Sequence, residues 1–219
     1  MILHRYATVD STQSVARGLA DQGAPHGTVV LAEAQTAGRG RLDRRWTSEP
    51  GKNLTFSVVL RPTCPVREAP LLTLGAAAGL AVALDVRVKW PNDLVDRDGR
   101  KLAGLLADME TAQDRVRYVI LGVGLNVNQT AFPDLPNATS LATMFGEQDR
   151  EDVLDRAVSA ILAWSEHPGR LELWRERAHT LGKRVRIGDV EGVATHLRDD
   201  GALIVGGVAV TTGEVGAPG

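Results

Sequence analysis

From residue 71 to residue 84 the chain carries no charged side chain, only Leu, Ala and Val interrupted by Thr73, Gly75 and Gly79. The run is too short to cross a bilayer, which takes roughly 20 apolar residues. It reads instead as a buried helix over residues 68–84. A helix apolar all round needs covering on several sides, and the rest of the chain offers strands for this. Residues 28–32 and 54–60 read as buried strands joined by a long loop. Residues 86–90 alternate as a strand does, and 101–109 and 116–128 read as a pair of strands. Helices are expected after the capping residue Ser11, with Val15, Ala16, Leu19 and Ala20 at helical spacing, and over 151–167 and 170–181. Leu154, Ala157, Val158, Ile161 and Leu162 give the first of the late helices an apolar face. After Gly182 four short β runs follow within about forty residues, which suggests a small barrel or meander. The expectation is an α+β protein with a larger domain over 1–181 and a small β domain over 182–219.

At 219 residues the chain is long enough for one good core and a small appendix. Hydrophobic residues make up 43% and charged residues 24%, ordinary values for a globular protein, and the formal net charge is −2. That balance gives no global reason to expect DNA or a membrane surface as partner. Cys64 is the single cysteine, so neither an intrachain disulfide nor a Cys-based metal site is available. The N-terminus has no apolar signal segment, and a cytoplasmic setting is expected.

Positive charge is concentrated locally. Gln35-Thr36-Ala37-Gly38-Arg39-Gly40-Arg41-Leu42-Asp43-Arg44-Arg45-Trp46 holds four arginines and a tryptophan. A solvated surface run is the ordinary explanation of such charge, but the alternation of Gly and Arg favours a ligand loop. Arginine matches carboxylate and phosphate with a fixed fork of donors. Tryptophan adds a flat apolar face with one donor. A nucleotide is the common small molecule with both properties.

Three more segments place polar residues among apolar ones. Lys89-Trp90-Pro91-Asn92-Asp93 reads either as a plain strand end with a turn or as an amide and a carboxylate aimed at a phosphate, a metal or an amine, with Lys89 as charge partner. Lys101-Leu102-Ala103-Gly104 opens a strand with a lysine that is either solvated or functional. Gly122-Val123-Gly124-Leu125-Asn126 places two glycines in a strand, which marks a bulge, a close approach or a demand of the fold. No Gly-x-Ser-x-Gly, P-loop or Gly-x-Gly-x-x-Gly motif is present, and the five histidines show no ligand spacing.

Taken in order, these four segments resemble the biotin–protein ligase family over roughly residues 8–130, with Ser11-Thr12 included. The resemblance implies a mixed central sheet flanked by helices, like a class II aminoacyl-tRNA synthetase catalytic domain, with an SH3-like C-terminal barrel. It implies activation of biotin by ATP as biotinyl-5′-AMP and transfer to a lysine of a biotin carboxyl carrier domain, with Mg²⁺ assisting. Under it Lys101, Arg41 and Asp93 are catalytic. Ser11, Thr12, Gln13, Gln35, Gly38, Arg39, Gly40, Gly104, Gly122 and Gly124 join Arg41 and Lys101 at biotin. Arg44, Trp46, Asn92 and Asn126 join Arg41 and Lys101 at the nucleotide. The metal ligands stay unknown, and a homodimer stays open.

The catalytic region starts within about ten residues of Met1, so a preceding DNA-binding winged helix is not expected, nor is a DNA partner. Leu42 stands where an arginine can occur, and Asp43 weakens the positive field of the loop. A loop over 37–52 that orders around the adenylate is expected to exclude water. A lipoate–protein ligase of the same fold and a non-catalytic biotin or nucleotide sensor are the rival readings.

Overall fold

The structure is a computed structural model that describes residues 1–42 and 44–216; Asp43 and the end of the C-terminal unit, residues 217–219, lie outside the described residues. The main sheet has seven strands: β1 (Ile2–Val9), β2 (Thr28–Gln35), β3 (Leu54–Leu60), β4 (Arg87–Lys89), β5 (Asp93–Val95), β6 (Lys101–Ala112) and β7 (Arg115–Leu125). Their order is β1-β2-β3-β7-β6-β5-β4, and β1 runs parallel to β2 while the other neighbours are antiparallel. Among the described residues the α-helices are α1 (Thr12–Asp21), α2 (Ala69–Ala83), α3 (Leu141–Phe145), α4 (Arg150–Trp164) and α5 (Arg170–Arg177), with a 3-10 turn over Val66–Glu68 before α2.

Strand alternation decides what each face of this sheet does. On β3, Leu54, Phe56, Val58 and Leu60 point to one face and join the large core with α2 and α4. Residues Thr55, Ser57 and Val59 point to the other. Ala16 and Ala20 of α1 cover only one end of that second face, packing on Val30, Val59, Tyr118 and Ile120. The other end presents Thr55, Ser57, Gly122, Gly124 and Gly104, a floor of small and polar groups, with the apolar Leu106 beside them.

The charge-free run is α2, the central core helix, with eleven of its fifteen residues buried. Only with the preceding residues 66–68 is the segment long and apolar enough to cross a membrane, and 61% of that stretch is buried inside the protein. Gly75 and Gly79 let α4 come close: a Cβ on either would lie 2.5 and 2.8 Å from backbone oxygens of Trp164 and Ala160.

The four late runs form a second antiparallel sheet of β8 (Arg184–Ile187), β9 (Val190–Leu197), β10 (Leu203–Val205) and β11 (Val208–Val210), in the order β11-β10-β9-β8. Its Val185, Ala194, Leu197 and Leu203 belong to the same hydrophobic cluster as α2. Trp90 is buried at the junction, where its indole donates to the Gly201 carbonyl at 3.2 Å.

Several sequence expectations need correcting. β1 was not expected, because its residues are mostly exposed and show no apolar alternation. The turn expected at Pro91-Asn92-Asp93 is present, but a further strand that was not expected, β5, starts at Asp93. The turn carries β4 back into β5, so that Lys89 faces Asp93 in register. The expected helix over 170–181 stops at Arg177, because Ala178 leaves helical geometry and bridges to Val88.

Candidate active site

The uncovered end of the sheet forms the floor of a cleft enclosing about 210 Å³. The start of α1, the end of β2, the Gly-Arg loop and the β4–β5 turn form its walls. Ser11, Thr12, Gln13, Gln35, Arg39, Gly40, Arg41, Arg44, Trp46, Asn92, Asp93, Lys101, Gly104, Gly122 and Gly124 all line it. Residues as far apart in sequence as Ser11 and Glu214 are thereby brought to one place.

Local geometry explains how each group is held. Ser11 precedes α1 but makes no side-chain cap. The first helical amide, Thr12, instead donates to Gln35 Oε1 at 2.7 Å, so β2 supplies the cap. Thr12 Oγ1 is shared with Ser57 at 2.8 Å, and Gln13 Nε2 donates to the Leu106 carbonyl at 3.0 Å. These bonds anchor the start of α1 to the floor.

The Gly-Arg loop folds on itself. Gly40 N donates to the Arg44 carbonyl at 2.7 Å, Trp46 N to the Gly38 carbonyl at 3.1 Å, and Arg39 bridges to Arg45. Gly38 is buried beneath this fold and does not line the cleft. Each arginine then reaches a different element. Arg39 donates to Asp108 of β6 at 2.7 Å, and Arg41 to Asn92 Oδ1 at 3.0 Å. Arg44 pairs with Glu214, and Arg45 donates to the Thr36 carbonyl at 2.7 Å. Asn92 is oriented in turn by its own bond to the Leu105 carbonyl at 2.5 Å. Lys101 is the charge partner of Asp93, at 2.8 Å, in the place where Lys89 was expected.

The two strand glycines are neither a bulge nor a break. Pairing with β3 and β6 runs through both without a register shift. They admit side chains: a Cβ on Gly122 would lie 2.9 Å from the Gln13 amide carbon, and one on Gly124 would collide with the Trp46 indole. Trp46 Nε1 and Thr55 Oγ1, both on cleft-lining residues, are buried with no hydrogen-bond partner among the described residues. Buried donors are nearly always satisfied, so these two suit a ligand that carries acceptors. Asn126 sits outside the cleft with its Nδ2 on the Thr139 carbonyl at 3.0 Å. It lines an adjoining, mainly apolar recess with Phe132, Leu135 and Pro136, which shares Arg45, Trp46, Lys101 and Leu135 with the cleft.

The sequence model of the biotin/lipoate A/B protein ligase family matches residues 6–126, the stretch that holds all these cleft elements except Leu135 and Glu214. The chain belongs to this family. It is 39% identical over 216 residues to the biotin–[acetyl-CoA-carboxylase] ligase of Mycobacterium tuberculosis, covering 86% of this chain and 78% of that one. It is 37% identical over 219 residues to the bifunctional ligase/repressor BirA of Bacillus subtilis, covering 90% of this chain and 67% of that protein. In three dimensions it is similar to the biotin protein ligase from Aquifex aeolicus in complex with biotin and ATP, with a TM-score of 0.78 at 29% identity, over 98% and 97% of the two chains.

This member of the biotin/lipoate ligase family has cleft residues that sequence reasoning missed. Thr55, Leu105, Leu106 and Val123 lie in strands whose inner and outer faces cannot be told apart without the sheet order. Glu214 comes from beyond β11 and also lines a polar recess with Lys89, Asn92, Asp93 and Lys101. Nothing around Glu214 in the sequence marks it.

Proposed function

We propose that this chain is an ATP-dependent biotin–protein ligase that acts on the carrier domain of a biotin-dependent carboxylase. The observation that carries this reading is the meeting of Lys101, Asp93 and the folded Gly-Arg loop over the sheet floor, with unpartnered buried donors on both loop (Trp46) and floor (Thr55). Relatives named for biotin ligation, and a similar structure titled with biotin and ATP, support it.

In the first step a biotin carboxylate oxygen attacks the α-phosphorus of ATP. A P–O bond forms, pyrophosphate leaves, and a mixed anhydride results. Two anions must meet, so charge neutralisation is the main requirement. Lys101 and Arg41 are assigned to the carboxylate and the α-phosphate, with Arg39 and Arg44 at the loop's two limbs. Gln13, Gln35, Ser11 and Thr12 are assigned to the polar ring end of biotin, which an apolar pocket would leave unsatisfied. The enclosed 210 Å³ is below the roughly 300–1,000 Å³ of most ligand sites. The adenosine is therefore assigned to the adjoining recess, between Trp46 and Leu135 and beside Asn126. In the second step the neutral amine of an acceptor lysine attacks the carbonyl carbon, AMP leaves, and Asp93 orients the amine and takes its proton.

Among the described residues no three acidic, His or Cys side chains group into a metal site. The carboxylates lining the cleft are Asp93 and Glu214, and they are assigned as the groups that would help hold an Mg²⁺ carried mainly by phosphate and water. When bound it screens phosphate charge. The unit of β8–β11, which shares the core of the main unit, is assigned as a small SH3-like C-terminal β domain over 182–219.

The test supplies purified protein with ATP, Mg²⁺, biotin and a biotin carrier domain. Biotin on one acceptor lysine, with release of AMP and pyrophosphate, is expected. Turnover with lipoate instead of biotin, or with neither, overturns the reading.

A further inference from the structure

We infer that Asp108 is a positioning residue for the active-site loop, acting through Arg39; this rests on the ligase reading above. Asp108 is not among the residues lining the cleft. It lies on β6, four residues beyond Gly104 and two beyond Leu106, and so shares their face of the sheet. Two cations from different elements meet on its Oδ2: Arg39 of the loop at 2.7 Å and Arg17 of α1 at 3.2 Å.

The Arg17 contact continues a pattern. Gln13 and Arg17 stand one turn apart on α1. Leu106 and Asp108 stand two residues apart on β6. Gln13 bonds the first strand position and Arg17 the second, so α1 is fastened to β6 at two successive points. Asp108 thereby ties together α1, which carries Ser11 to Gln13, β6, which carries Lys101 and Gly104, and the loop. Its carboxylate is about one-fifth exposed, while the Arg39 side chain is half exposed. An isolated pair of that kind contributes little stability. Its effect is to order a long, flexible side chain before ligand arrives, which removes part of the entropy cost of closing the loop. The contact uses one of the five guanidinium donors. The Asp108 carboxylate offsets part of the Arg39 charge, so Arg39 anchors the loop, its remaining donors stay open to the ligand, and the main cationic contact with the reacting groups falls to Arg41 and Lys101.

The test compares the parent protein with Asp108→Asn and Asp108→Glu, and repeats Asp108→Asn in an Arg39→Ala background. Hydrogen exchange of the ligand-free protein reads the amides of residues 38–42 and 44–46. Release of pre-formed biotinyl-5′-AMP reads the closed loop. Asp108→Asn is expected to speed both by about fivefold, the scale of a part-exposed charge pair, with the midpoint of thermal unfolding unchanged. Asp108→Glu is expected to restore most of the difference. In the Arg39→Ala background the substitution is expected to add nothing to loop exchange, because the contact that remains to be lost, with Arg17, lies on α1. Parent-like loop exchange in Asp108→Asn, or full additivity with Arg39→Ala, overturns the inference. Exchange of the free protein needs no catalysis, so this outcome is distinct from a parent protein that forms no adenylate, which would instead sink the ligase reading.

Discussion

Lys101 Nζ lies 2.8 Å from Asp93 Oδ1, and the pair stands directly above Gly104. In the β5–β6 register Asp93 is opposite Gly104, three residues along the strand from Lys101. A Cβ at Gly104 would touch both side chains, at 3.4 Å from Lys101 Nζ and 3.6 Å from Asp93 Oδ1. The lysine is thus held over an open floor with a carboxylate as its partner. In the proposed reaction an anionic substrate entering the cleft would compete with Asp93 for that ammonium and release the carboxylate. This pair would thus serve two roles in order in the proposed reaction: a cation for adenylation, then a free carboxylate beside the anhydride.

Lys101→Ala is expected to lower the rate of biotin-dependent pyrophosphate exchange by about 10²–10³-fold, the usual cost of removing one preorganised charge-stabilising donor. Both partners are partly exposed, so folding stability should change by no more than about 1 kcal/mol. Asp93→Asn should spare exchange better than it spares transfer to the carrier. Exchange at the parent rate in Lys101→Ala would remove the lysine from the chemistry.

Arg41 is oriented by an amide, with Asn92 Oδ1 accepting at 3.0 Å. A neutral acceptor leaves the guanidinium charge uncompensated and available to a phosphate. Arg41→Gly removes a charge-assisted bond worth about 1.5–3 kcal/mol, or roughly 10- to 100-fold. Biotinyl-5′-AMP is expected to leave the variant faster by that factor, measured by trapping released adenylate. Asn92→Ala should give a smaller change of the same sign. Unaltered release in Arg41→Gly would exclude the loop as the seal.

What the sequence disclosed follows what is local. The core helix, the paired strands β6 and β7 and the Gly-Arg loop are each written in one contiguous segment, and each was expected. The match of fifteen expected site residues to one cleft rested on the family resemblance, since no spacing rule places Gln35 beside Thr12 or Asp93 beside Lys101. Two kinds of information were hidden. Residues such as β1's carry weak patterning because the strand lies at the sheet edge and is largely exposed. Partners such as Asp108 and Glu214 depend on sheet order and on where the C-terminal unit packs, which no single segment encodes. Strand glycines were the intermediate case. Their presence signalled close approach, while the approaching groups, Gln13 and Trp46, became evident only in three dimensions.

Gly124→Ala is the sharpest test of that approach. The added Cβ would enter the space of the Trp46 indole, which has no room to remain in place. Overpacking of this kind costs about 1–3 kcal/mol, lowering the midpoint of urea unfolding. The displaced indole should also raise the KM for ATP more than that for biotin, because Trp46 borders both the cleft and the adjoining recess. Equal effects on the two substrates would argue against a nucleotide role for Trp46.

His179 gives the fold a pH dependence that is separate from catalysis. Its Nε2 lies 2.7 Å from Lys183 Nζ, so this nitrogen must be the unprotonated acceptor. Burial first, and then the charges of Lys183 and Lys89, hold the imidazole below its ordinary value, against a smaller opposing pull from Asp96. In the unfolded chain the same group titrates near about 6.5. Between that value and the lower folded one, the unfolded chain binds more protons, so stability falls as pH drops through the window and is fully present above it. His179→Gln keeps an acceptor for Lys183 and removes the titration. The parent should lose more thermal stability than the variant between pH 7.5 and pH 5.5, read as the difference between two melting-temperature profiles. Parallel profiles would show that protonation of His179 is not resisted by the fold.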